Sequence, residues 1–234
     1  MKLFIAEYRL LQKEKFKLIL PTVILSVLGI LISSKNGFIN ADASSEQILL
    51  ILFGSADSYP MNWLYWMILF LGYVVLLQIV WKSRVQMFEI HQLLRYRNTN
   101  RFWASKFAMG FLFTCFYILS FLLTAWIAAF LLGASMAFSL TWLLVFLFLT
   151  LNLYGLALLW LAMKMYWRVE GANMILVILI YTGIKSPHPL LPLYYGMIEK
   201  IKSSLFTTFL IESAVLFLLF LIILRKAKTM DYNT

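Results

Sequence analysis

Residues 84–106, RVQMFEIHQLLRYRNTNRFWASK, form a polar, basic interruption between two long apolar runs, 61–81 and 107–132. Gln86–Tyr96 reads as a short amphipathic helix with Met87, Ile90 and Leu94 on one side. Arg97-Asn98-Thr99-Asn100 is turn-like, and Thr99 or Asn100 is placed to cap a fresh helix. Arg95, Arg97 and Arg101 offer fork-shaped donors to an acidic surface. A segment joined in this way to two apolar helices can act as a handle for another protein. The competing reading is a basic loop that only orients its flanking helices.

Working outward, the chain is 63% hydrophobic and 13% charged, with a mean hydropathy of +0.87. A typical soluble domain is about half apolar and about a quarter charged. The apolar runs are too long for a soluble core, so the expected class is an all-α polytopic membrane protein in one domain, 1–234. The net charge of +10 does not point to nucleic acid, because the cations sit at the ends of apolar runs. Cys115 is the single cysteine, lies inside an apolar run and reads as a small packing residue. No cleavable signal pattern is legible at the N-terminus, which leaves targeting to the first span.

Six spans are expected, over 18–32, 61–81, 103–132, 138–163, 172–184 and 205–224. Residues 1–17 place Leu3, Phe4, Tyr8, Leu11 and Phe16 on one helical face, the pattern of a helix lying in the headgroup region. An ordinary positive flank would explain the charges there but not the stripe. Pro21 is expected in the first turn of span one, where its missing N–H is tolerated. The run Ile48–Phe53 is too short to cross a bilayer and is expected on the outer surface. Span three is long, so tilt or an extension beyond the bilayer is expected. Gly133-Ala134-Ser135 should form a tight turn, and 164–171 a basic loop. Pro187, Pro189 and Pro192 break the chain before a small amphipathic helix, 193–202.

Sixteen of the twenty Lys and Arg residues fall in 1–17, 82–106, 164–168 and 225–228; Lys35, Lys185, Lys200 and Lys202 are the rest. The positive-inside rule then places both termini and the 84–106 segment in the cytoplasm. Tryptophans 63, 66, 81, 103, 126, 142 and 167 lie near span ends, as interfacial aromatics do.

No GxxxxGK[ST], HExxH or Gly-x-Ser-x-Gly motif is present, so no nucleotide, zinc or serine-nucleophile chemistry is expected in this chain. His91 and His188 fall on opposite sides of the expected membrane and cannot share a metal. Glu212 is the one acidic residue well inside a span. A carboxylate at that depth is costly unless protonated, paired or hydrated, which makes it a functional candidate beside a purely packing role. Asn152 and Gln78 are milder cases, suited to helix–helix hydrogen bonding.

As a layout, the whole chain resembles permease subunits of the ABC-2 type, bacterial exporters whose ATPase is a separate polypeptide. The likeness lies in an interfacial helix at 1–17, six spans, a coupling helix at Gln86–Tyr96 and a re-entrant helical segment at Ser186–Lys202. Locally, Leu94–Lys106 (LRYRNTNRFWASK) is similar to an R-x-x-S-R-x-x-W-x-x-S-K-like pattern of small Gram-positive permeases, with Asn98 and Thr99 where a serine is common. Such permeases are often tied to peptide or bacteriocin export and self-immunity. The resemblance implies a plasma-membrane dimer of permease chains, identical or different, bound to two ATPase chains that hold ATP and Mg. It implies an ATPase contact at or near Glu89, His91, Arg95, Arg97 and Arg101, with a second near Arg168. The alternative from the residues alone is a non-transporting immunity or sensor protein that binds a peptide at its outer surface.

Overall fold

A computed structural model describes residues 5, 8, 9, 12, 15–35, 44–54, 62–81, 99–131, 133, 139–186, 188, 191, 194, 196–199 and 205–229. These residues form seven helices and no strand. They are α1 (Lys15–Lys35), α2 (Ser45–Phe53), α3 (Asn62–Val80), α4 (Thr99–Leu131), α5 (Leu140–Tyr166), α6 (Val169–Lys185) and α7 (Leu205–Thr229).

Four of them, α3, α4, α5 and α7, are long and apolar enough to cross a membrane. The apolar part of α1, Phe16–Ile32, and the whole of α6 each have 17 residues. That is the short end of what spans a bilayer, about 17–25 residues. At 33 residues, α4 runs about 50 Å, well beyond an apolar layer of roughly 30 Å. Large apolar side chains stand exposed along α1 (Leu20, Ile24, Leu28) and α7 (Phe206, Phe217, Leu218). Faces of that size are lipid-seeking, and the chain is a helical membrane protein.

Side-chain pairs fix the helix directions. Gly29 meets Tyr65 while Gly72 meets Leu25, so α1 and α3 are antiparallel. Tyr65 packs on Phe121 and Trp81 reaches Lys106, so α3 and α4 are antiparallel too. Trp142 faces Leu122 and Tyr154 reaches Phe107, which reverses α5 against α4. Trp160 bonds Asn173 across the α5–α6 turn. Glu212 and Lys226 of α7 sit beside Asn152 and Tyr166 of α5, so these two helices are parallel. Directions therefore alternate through α1, α3, α4, α5, α6 and α7. Lys17, Lys106, Lys164, Arg168, Arg225, Lys226 and Lys228 all lie at one end of the bundle.

Packing explains the order. α5 is the central helix, touching α2, α3, α4, α6 and α7, and it buries most of its length. α1 contacts α3 and α4 at the edge. Its close approach to α3 rests on Gly72, where a Cβ would lie 2.7 Å from Leu25 Cδ1. Small residues allow such backbone proximity between helices in lipid.

Several expectations change. Pro21 lies inside α1, because the helix starts at Lys15 and takes in the charged flank. The expected basic loop shrinks to Trp167-Arg168. Helices run past the last apolar residue wherever charges suit their termini, here Lys164 in the last turn of α5 and Glu170 in the first turn of α6. The 48–53 run is not spread on the surface. It forms α2, closed at its start by a capping box between Ser44 and Gln47, and Ile48, Leu49, Leu52 and Phe53 are fully buried against the bundle. Gly133 is in a turn, at a φ of 80° that favours glycine, while Ala134 and Ser135 of the expected turn lie outside the described residues. The coupling helix at Gln86–Tyr96 and nearly all of the expected interfacial helix lie outside the described residues.

Candidate functional site

Two polar clusters interrupt the apolar interior. The first closes the basic end of the bundle, at the base of the 82–98 segment. Trp81 directly follows α3 and stacks on Trp160 of α5 with ring centroids 6.2 Å apart and planes inclined by 17°. Its Nε1–H donates to the Lys106 carbonyl of α4 at 3.2 Å. Gly110 makes room for the indole, since a Cβ there would come within 2.4 Å of Trp81 Cζ2. Trp160 Nε1–H donates in turn to Asn173 Oδ1 of α6 at 2.7 Å, and Gln78 Nε2 donates to the same oxygen at 3.0 Å. Lys164 lies over the Trp160 ring at 5.2 Å. Four helices are tied here by paired polar groups, with little left unsatisfied.

The second cluster lies on the other half of α5. Asn152 and Glu212 are only 5% and 6% exposed, and Asn152 Nδ2 donates to Glu212 Oε1 at 3.4 Å. Glu212 Oε2 is sealed and has no hydrogen-bond partner among the described residues. Gly196 lies on the Asn152 amide, with a Cβ there placed 3.5 Å from Asn152 Cγ. Met197 and Ile198 beside it are buried. Tight turns hold this stretch: Tyr194 N–H donates to the Leu191 carbonyl at 3.1 Å and Met197 N–H to the Tyr194 carbonyl at 3.5 Å. α2 closes the same end. The Gly54 carbonyl after it accepts from Asn62 Nδ2 at 3.3 Å and Trp66 Nε1 at 3.1 Å, while Glu46 accepts from Thr141 of α5 at 2.9 Å. Among the described residues no group of three or more His, Cys, Asp or Glu could hold a metal ion.

Of the residues expected to form a partner contact, Glu89, His91, Arg95 and Arg97 lie outside the described residues. Arg101 is in the first turns of α4, and only its backbone is described. Arg168 is exposed in the link before α6, at the basic end. Asn152 and Glu212, marked separately in the sequence, are brought together. Trp160 and Asn173 were not singled out, although Gln78, which shares their network, was. Asn173 sits near a charged helix start, where an amide is unremarkable in sequence.

Comparison with protein-family models, curated proteins and solved structures finds no match for this chain.

Proposed function

We propose that this chain is the transmembrane subunit of an ATP-binding-cassette exporter, driven by a separate ATPase and moving an amphipathic substrate such as a peptide, bacteriocin or lipid. All six long helices then span, α1 and α6 included, with both termini in the cytoplasm of a bacterial plasma membrane. The single observation that supports this best is the Trp81 knot. The 82–98 segment connects α3 to α4 in the chain, and Trp81 ties the end of α3 to the early part of α4 and to α5. A force applied to the segment therefore reaches three helices at once. The bias of basic residues toward that end supports a cytoplasmic placement. ATP and Mg belong to the partner, and a second permease chain completes the pathway. The 186–202 segment, of which Gly196 lies against Asn152 and Met197 and Ile198 are buried, is the re-entrant outer element of this reading.

The test is co-purification from native membranes. An ATPase lacking its own spans should be retained by the wild-type chain, and the isolated chain should not hydrolyse ATP. Retention of no such protein would count against the proposal.

One observation favours the second reading, a peptide-binding immunity or sensor protein. A groove of about 410 Å³ between α4 and α5, lined by Leu119, Leu122, Leu123, Trp126, Trp142 and Phe146, is almost wholly apolar. Protection of cells against a peptide without any ATPase partner would select that reading.

A further inference from the structure

Glu212 carries a feature that neither helix packing nor force transmission uses. Its Oε1 accepts from Asn152, while its sealed Oε2 has no partner among the described residues. A bare carboxylate there would be held by one amide in apolar surroundings, and such a charge is costly in a membrane span. The sealed oxygen leaves no room for a larger cation without rearrangement, and no metal-ligand group is present among the described residues. A proton is the ligand that fits.

We propose that Glu212 binds and releases a proton, and that the proton decides whether the 196–199 stretch stays seated on Asn152. Gly196 is the contact that links the two, since a Cβ there would stand 3.5 Å from Asn152 Cγ and Oδ1, in van der Waals contact with the amide. With the carboxyl neutral, Asn152 bonds Glu212 and receives Gly196 on its other side. Loss of the proton to water leaves a charge that needs hydration. In this proposal water reaches the carboxylate when the 196–199 stretch, which carries the buried Met197 and Ile198, lifts off Asn152. Among the described residues, the ionisable side chains on the packed elements do not replace that water. On α5, Tyr154 gives its hydroxyl hydrogen to the Phe107 carbonyl, and Lys164 and Tyr166 lie toward the basic end. On α4, Lys106 sits over Phe102 and Cys115 is half-buried. In the outer stretch, Tyr194 and Glu199 are half-buried, and Glu199 lies beside Gly54. The inference holds for any function of the bundle and does not rest on the exporter reading.

The test uses the full chain in lipid nanodiscs, with Cys115→Ser and Met197→Cys making position 197 the only thiol. Its reaction with a water-soluble maleimide is followed across the neutral pH range, with and without Glu212→Gln. Dividing one rate by the other cancels the pH dependence of the thiol itself. The neutral acid prevails below its midpoint and is lost as pH rises, so the ratio should start near one and climb about tenfold per pH unit until the open state predominates. A flat ratio would overturn the proposal. Infrared difference spectra of the chain without the 197 substitution give an independent readout. A protonated carboxylic C=O band should vanish over the same pH range and be missing from Glu212→Gln. Its absence at every pH in the wild type would also overturn the proposal.

Discussion

Trp81, just past α3, donates its indole N–H to the Lys106 carbonyl of α4 and stacks on Trp160 of α5, so the end of α3 and the early part of α4 belong to one packed unit. A loop mounted on independent helices would flex when pushed. Under the function proposed above, this knot is what would carry movement of the segment into the helices.

Trp81→Phe should keep most of the stack and lose the hydrogen bond, lowering stability by about 1 kcal/mol. Trp81→Ala should cost more, about 3–5 kcal/mol, through the cavity it leaves. Thermal unfolding in detergent, compared across the two variants, checks the order.

Gly110→Ala should be destabilising by about 1–3 kcal/mol, since the new methyl meets a ring held by stacking and cannot be relieved cheaply. In a double-mutant cycle, Gly110→Ala should cost much less when Trp81 is already Ala. Additive losses would show that the glycine matters for some other reason.

Asn152→Leu should leave the Glu212 carboxyl without the one donor it has among the described residues and destabilise the bundle by about 1–2 kcal/mol. Adding Glu212→Leu should recover most of that loss, because replacing both partners by apolar groups removes the orphaned polar atom. Denaturation of the single and double variants in mixed micelles reads this directly.

Ser44→Ala should loosen α2 by about 1 kcal/mol through loss of its capping box. The effect should appear as faster hydrogen exchange in 45–53, with α7 unchanged.

How far the sequence led depends on which residues are asked. Apolar run lengths and the bias of Lys and Arg gave the helical class and each long helix within a few residues. Charge at the helix ends misled the boundaries, because Lys15, Lys164 and Glu170 belong inside helices. The burial of α2 was not legible: nine residues too short to span read as surface until the pockets left by α3 and α5 are known. Glu212 stood out as a charge in an apolar run. Its pairing with Asn152, 60 positions away, depends on the register of two parallel helices. The Trp160–Asn173–Gln78 network was hidden for the same reason, since interfacial tryptophans and amides near helix ends are ordinary in isolation.

The most direct test of the coupling idea is Arg97→Glu in a purified complex with the ATPase partner proposed above. If the 82–98 segment carries force into the bundle, the wild-type chain should stimulate ATP turnover by that ATPase, and the variant should fold like the wild type, bind the ATPase more weakly and lose the stimulation. Unchanged binding and unchanged stimulation would contradict it.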